Sequence, residues 1–322
     1  MSAVLQVENL TTFYTTLRGP VRAAENVTFN VGKGEALGLV GESGCGKTTV
    51  ALSILKLLPS NGKIVRGKIL FEGKDIVKIK DKEFRQEIRW KGISIVFQGA
   101  MNALNPVFKV GDQVSEAIKI HEPRMKKEEI NERVAKLFEL VGLDPGRADN
   151  YPHEFSGGMR QRALIAMSLA CNPALLISDE PCTALDVIVA SQVLKLLREI
   201  KEKLNLGMIL ISHDLSIVAE TCEKMGIMYA GMLAEYGNVM DTFKKPLHPY
   251  TQGLISAFPS IKGERTRMVS IPGIPPDLLN PPTGCRFHPR CKYAMDICIK
   301  KEPSWWNVEK GRYVRCWLYE KG

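Results

Sequence analysis

Residues 36–49 read ALGLVGESGCGKTT, and the fold turns on how they are read. "ALGLV" is an unbroken apolar run of the kind expected for a strand buried on both faces. Gly41, Gly46, Lys47 and Thr48 then fall on the fixed positions of G-x-x-x-x-G-K-[ST], with Ser43, Gly44, Cys45 and Thr49 completing the stretch. A strand, a glycine-rich loop and a helix in that order turn backbone N–H groups and a helix N-terminus toward an anion. The loop is therefore expected to wrap a phosphate chain. Lys47 would bridge the β- and γ-phosphates, and the Thr48 hydroxyl would ligate Mg2+.

Working outward, "LQVENLTTFY" and "AENVTFNV" alternate as paired strands, and "GKTTVALSILKLL" has helical spacing up to Pro59. "GKILFEG" and "ISIVFQ" read as further strands, and the stretch from 99 to about 165 is mainly helical. In it "EEINERVAKLFELVG" sets Val134, Leu137, Phe138 and Val141 on one face, with Gly142 as its stop. "ALLIS", the amphipathic "SQVLKLLREIKEKL", "MILIS", and a helix with a hairpin over "IVAETCEKMGIMYAGMLAEYG" follow. Short apolar strands alternating with helices imply an α/β fold with a mostly parallel sheet. From about 246 the texture changes, because ten of the eighteen prolines lie in 246–322. The expected division is a 1–245 nucleotide-binding domain and a 246–322 extension.

The chain has 322 residues, 45% hydrophobic and 25% charged, which is ordinary for a globular protein. No run approaches the roughly 18–20 apolar residues of a membrane span. "MSAVLQVENLTTFY" lacks the marks of a secretory signal, so a reducing, cytosolic setting without disulfides is expected. The net charge of +9 is spread over the chain and mixed with acids, and reads as solvated helix faces rather than a nucleic-acid stripe.

A second piece of phosphate chemistry is "LLISDEP" at 175–181, an apolar strand ending in two carboxylates. Asp179 would hold Mg2+ and Glu180 would polarise an attacking water. Alone, such a pair reads as a helix cap or turn; beside a phosphate loop it reads as catalytic. "FSGGM" at 155–159 precedes a long helix that Ser156 would cap, with Gly157 and Gly158 leaving N–H groups for a second anion.

With these motifs together the chain resembles the ATP-binding cassette family. "FSGGM" is similar to that family's signature loop, which the resemblance implies closes over ATP held by an opposite subunit. Gln98 in "VFQ" matches the Q-loop, linking Mg2+ and water to a membrane partner; Asp186 in "TALD" matches the D-loop; His213 in "ISHD" matches the switch histidine at the γ-phosphate. Tyr14 matches the adenine-stacking aromatic, with Phe13 beside it leaving the register open by one. Ser178 and Cys182 replace the more usual Ala and Thr around "DEP". The implied architecture is a P-loop NTPase (RecA-like) core with a β-subdomain and a helical subdomain at about 99–165. "GAMNALNP" after Gln98 is the expected coupling surface.

The tail carries Cys285, Cys291, Cys298 and Cys316, with gaps of five, six and seventeen residues. The gaps are wider than usual zinc pairs, so spacing alone leaves zinc and an iron–sulfur cluster open, with His288 and His248 as further candidate ligands. "PLHPYTQGLISAFP", "GIPPDLLNPPTGCRFHPRCKYAMDIC" and "VRCWLY" resemble the tail of ATP-binding subunits of dipeptide and oligopeptide ABC importers. That resemblance implies that the four cysteines hold a 4Fe-4S cluster. It also implies a heterodimer with a second, related ATP-binding subunit, two transmembrane permease subunits and an extracellular substrate-binding protein. The place would be the cytoplasmic face of the membrane, as a peripheral ATPase powering uptake of peptides or related oligosaccharides, with no nucleic acid. The rival readings are a soluble cassette ATPase acting on nucleic acid or translation with a zinc tail, and a non-catalytic ATP-switched binding module.

Overall fold

The computed structural model describes residues 3–99, 103–257 and 271–320. Among these the chain forms two compact units, each discontinuous in sequence. One comprises Met1–Leu5, Val31–Ala36 and Phe71–Ile211; the other comprises Gln6–Asn30, Leu37–Leu70 and Ser212–Gly322.

In the first unit the strands Ile93–Val96, Leu175–Asp179 and Gly207–Ser212 run parallel, with Val96 level with Ser178 and Asp179 level with Ile211. Every residue of Leu175–Asp179 is buried, which is why the sequence there is continuously apolar until its last two positions. The helices Val110–His121, Lys127–Leu140 and Gly157–Ser168 pack on one another. Val134, Leu137, Phe138 and Val141 are all buried, as the periodicity requires. Gly142 takes φ +70, and the Leu143 N–H reaches the Phe138 carbonyl at 2.8 Å, closing the helix end. The eighteen-residue helix Val187–Leu204 ends on Asn205 in the left-handed region.

In the second unit the Ala36–Val40 strand runs parallel to Lys224–Tyr229, pairing Leu37 with Lys224 and Val40 with Ile227. Lys224–Tyr229 turns back into Met232–Asn238 through Ala230 and Gly231, both at positive φ, the backbone of a tight hairpin turn. Met232–Asn238 then pairs antiparallel with Arg312–Val314, which pairs with Trp306–Glu309. The end of the chain thus extends the sheet that carries the phosphate loop. Ala3–Thr16 lies between Gly19–Gly32 and Gly62–Phe71 in a separate sheet.

The helix after the phosphate loop is shorter than its spacing suggests. It spans Lys47–Ile54 and stops well before Pro59, because Lys56 adopts φ +50 and the Leu57 N–H returns to the Leu52 carbonyl at 2.9 Å. This capping normally uses glycine, so lysine there gives no sequence signal.

Candidate active site

The phosphate loop belongs to the second unit. Two of its glycines have no alternative: a Cβ on Gly41 would stand 2.2 Å from the Met228 carbonyl oxygen, and one on Gly46 would stand 2.1 Å from that of Ala23. Both also hold positive φ, +157 and +106. Gly46 is the N-cap of Lys47–Ile54 and no side chain caps that end, so the first-turn N–H groups are left for an anion. Ser43, Gly44 and Thr48 are exposed, whereas Cys45 and Thr49 are buried. The Lys47 ammonium lies back along the loop, donating to the carbonyls of Gly41 at 2.7 Å and Glu42 at 3.1 Å. Burial pushes the Cys45 thiol up, so it stays protonated beside Lys47.

Tyr14 is half-buried with its hydroxyl 3.3 Å from the Thr49 hydroxyl, which ties this aromatic to the phosphate helix; Phe13 is also half-buried. His213, also in this unit, is exposed between Ser212 and Asp214. The turn around it is fixed, since the Asp214 N–H donates to the Ser212 hydroxyl at 3.0 Å and Asp214 caps Leu215–Thr221.

The carboxylates belong to the first unit. Asp179 ends its strand at 3% exposure. Glu180 follows at φ +49, a backbone that side chains rarely adopt, with its N–H held by the Ile211 carbonyl at 2.9 Å. Its Oε2 accepts hydrogen bonds from Gln98 Nε2 at 2.8 Å and Thr183 Oγ1 at 3.0 Å. Parallel pairing of Ile93–Val96 with Leu175–Asp179 brings Gln98 and Glu180 together across 82 residues. The exposed Gln98 amide thus orients one carboxylate oxygen.

In the same unit the Ser156 hydroxyl accepts the Met159 N–H at 3.4 Å at the start of Gly157–Ser168. Asp186 caps Val187–Leu204, accepting the Val189 N–H at 2.9 Å. The two helix starts meet: a Cβ on Gly158 would lie 2.6 Å from the Val189 side chain. Burial pushes the Cys182 thiol up to about 11. Of the expected coupling segment 99–106, residues 100–102 lie outside the described residues; Phe97, Val107 and Phe108 beside it are exposed.

The four tail cysteines all belong to the second unit and all are free thiols. Cys285 is pushed up to about 12, first by burial and then by the neighbouring Cys316, Cys298 and Cys291. Three sulfurs receive an N–H from two residues on: Cys285 from Phe287, Cys291 from Tyr293 at 3.4 Å, and Cys316 from Leu318. Such bonds favour the thiolate. The Cys285 N–H also donates to the Cys298 carbonyl at 2.8 Å. Among the described residues, no group of three or more His, Cys, Asp or Glu side chains is arranged to hold a single metal ion. His248 is engaged elsewhere: its Nδ1 accepts the Tyr250 N–H at 3.0 Å, its ring bonds the Arg315 backbone, and burial pushes it down to about 3. His288 Nδ1 sits 2.9 Å from the Cys285 carbonyl.

Sequence reasoning missed two charged residues that tie this region together. Glu235, in an otherwise apolar strand, is fully buried, accepting the N–H groups of Leu247 at 3.0 Å and His248 at 2.8 Å and facing Arg312 at 3.3 Å. Burial is the main cause that raises its pKa. Glu42, the x after the first loop glycine, is bound by Arg290 of the tail. An acid inside "MLAEYG" was the available signal for the first; the second left none.

The family described as "ABC transporter" matches residues 24–183, and that described as "Oligopeptide/dipeptide transporter, C-terminal region" matches residues 234–298. The dipeptide transport ATP-binding protein DppD of Bacillus subtilis is 45% identical over 324 residues, covering 100% of this chain and 96% of its own. The chain belongs to the ATP-binding subunits of dipeptide and oligopeptide ABC transporters. As a member of that family it is an ATPase with the cassette fold, mixed α/β around a P-loop NTPase core. It is also 45% identical to the oligopeptide transport ATP-binding protein OppD of Escherichia coli, covering 94% of this chain and 89% of that one. Among solved structures, the ATP-binding cassette MJ0796, a dimer in a post-hydrolysis state bound to ADP and Pi, matches with TM-score 0.65 and 26% identity. That match covers 73% of this chain and 98% of that one. Among the described residues, no helix of this family member is long and apolar enough to cross a membrane.

Proposed function

We propose that this subunit hydrolyses ATP to drive uptake of short peptides through an ABC importer, from the cytoplasmic face of two permease subunits. The observation that carries the catalytic part is the 2.8 Å hydrogen bond from Gln98 to Glu180, which orients the carboxylate for a water. Glu180 accepts a proton from the attacking water, and His213 steadies the γ-phosphate. Lys47 neutralises the β- and γ-phosphates, the open N–H groups after Gly46 bind them, and Tyr14 stacks on adenine. Thr48, Gln98 and Asp179 each offer an oxygen, the donor type that Mg2+ takes, and Mg2+ held by them would supply charge neutralisation on the phosphates. Ser156, Gly157 and Gly158 serve ATP held by a second, related subunit, with Asp186 at the same contact; the dimeric state of the similar cassette supports that reading. The helical part at about 99–165 carries the motion to the permeases, and 246–322 acts as an extension.

In that extension Cys285, Cys291, Cys298 and Cys316 hold a 4Fe-4S cluster. Support comes from four mutually interacting free thiols, three with N–H donors to sulfur. The cluster would supply a cross-link for a proline-rich segment. Anaerobically purified protein should contain about four irons per chain, and zinc in their place rejects this part.

The named relatives are transport proteins, which favours the importer over an ATPase acting on nucleic acid. Peptide cargo rests on those names. The test is reconstitution with the permeases, a second ATP-binding subunit and a binding protein: ATP turnover should rise with peptide. Stimulation by oligosaccharide instead moves the cargo, and tight, salt-sensitive RNA or DNA binding without stimulation overturns the reading.

A further inference from the structure

The phosphate loop contains an acid. Glu42 sits between Gly41 and Ser43, where the chain must accept a polyanion, and an unpaired carboxylate there would repel phosphate and compete for the Lys47 ammonium. The structure shows what becomes of that charge. Arg290 takes it with both arms of its guanidinium, Nη1 donating to Oε2 at 2.7 Å and Nη2 to Oε1 at 3.0 Å. This two-pronged geometry is the strongest available to an arginine and a carboxylate.

Arg290 is itself held in place. Its side chain is 5% exposed, its Nε donates to the Pro272 carbonyl at 2.8 Å, and its guanidinium lies over the Tyr229 ring, 5.7 Å from the centroid. Glu42 is held at its other ends as well. Its N–H donates to the Tyr250 hydroxyl at 3.1 Å, and its carbonyl accepts the Lys47 ammonium at 3.1 Å. Tyr250 and Tyr229 pack with Phe287, centroids 4.6 to 5.4 Å apart, so one buried ring cluster carries both holders of Glu42. All these residues belong to the second unit.

We infer that Arg290 is a positioning residue for nucleotide binding: by keeping the Glu42 carboxylate paired and away from the phosphate path, it leaves Lys47 and the loop N–H groups to ATP. The hydrogen bonds to Glu42 also raise the Arg290 pKa. The idea rests on the reading that residues 41–49 hold the triphosphate.

The experiment is a set of Mg-ATP dissociation constants on the full chain for wild type, Arg290→Ala, Arg290→Lys, Arg290→Ala/Glu42→Gln and Lys47→Ala. Arg290→Ala should weaken binding at least about tenfold, and Arg290→Lys by a few fold because a point charge replaces a fork. In the assembled transporter KM for ATP should rise more than kcat falls. The decisive arm is the double variant: removing the acid should restore binding to within about threefold of wild type. A tail that merely needs Arg290 to fold would not be rescued this way. The inference is overturned if Arg290→Ala binds like wild type while Lys47→Ala binds weakly, or if the double variant is as weak as Arg290→Ala. Should Arg290→Ala not fold, Arg290→Lys and its pairing with Glu42→Gln decide it by the same comparison. Lys47→Ala binding like wild type would overturn the phosphate-loop reading itself, and this inference with it.

Discussion

The phosphate loop and the cysteine-bearing tail are held in shape by opposite means. In the loop, nine consecutive residues contain most of what the geometry needs: glycines where a Cβ would strike a carbonyl, and an uncapped helix start. In the tail, shape comes from partners far away, as Arg290 binds Glu42 across 248 residues and Arg312 meets Glu235 across 77. Local geometry serves chemistry, and distant pairing serves the stability of the part that supports it. Substitutions at the chemistry of the first should change turnover with little effect on folding, and those at Glu235 should do the reverse, whereas Arg290 joins the tail to the loop and acts on ATP binding.

The largest expected effect belongs to chemistry. Glu180→Gln should lower ATP turnover by about 10²–10⁴, the usual worth of a general base, with ATP binding retained; phosphate release at saturating Mg-ATP reads this, and undiminished release removes Glu180 from the role. Next is Glu235→Ala, which leaves the Arg312 guanidinium, buried at 5% side-chain exposure, with only the exposed Glu309 as a carboxylate neighbour among the described residues, at 3.8 Å, and strips the Leu247 and His248 N–H groups of their acceptor. Denaturant unfolding should show a loss of about 3–5 kcal/mol, and a change below 1 kcal/mol would mean that water compensates it.

Acid should find the tail before the loop. Burial holds His248 down at about 3, so the folded chain refuses a proton that the unfolded chain takes up near pH 6.5. Stability from this residue is present above about pH 6.5 and lost as the pH falls toward 3, by about 2 kcal/mol at pH 5. His248→Asn, which keeps an acceptor for the Tyr250 N–H, should flatten that dependence in unfolding curves from pH 7 to 5; an unchanged slope assigns it to other groups. The smallest effect is Ser156→Ala, which removes one helix cap and should cost about 1 kcal/mol in the same unfolding assay. A far greater loss of ATP turnover than of stability would mark Ser156 as a nucleotide contact.

How much of this was legible in the sequence follows the same division. The parallel strands and the Lys127–Leu140 helix announce themselves through continuous or periodic apolar residues, and Gln98, Asp179 and Glu180 stand at the ends of such strands. The end of the phosphate helix did not, because Lys56 fills a left-handed position without being glycine. The Gln98–Glu180 bond could be expected only once a motif named both residues. Nothing in "HPR" or "ESG" marks Arg290 and Glu42 as partners, since a surface arginine and a loop acid read alike until the fold sets them 2.7 Å apart. The Trp306–Glu309 and Arg312–Val314 strands are too short to alternate recognisably, and their pairing with Met232–Asn238 supplies the order that the local pattern lacks.

That last pairing bears on biosynthesis. A nascent chain leaving the ribosome carries its phosphate loop early, yet the loop's strand can pair with Lys224–Tyr229 only when those residues emerge, and the sheet gains its outermost ladder only with residues 306–314. Translation that stalls short of that point leaves Met232–Asn238 as a bare edge open to pairing with other chains, so a stalled nascent chain is exposed to aggregation there.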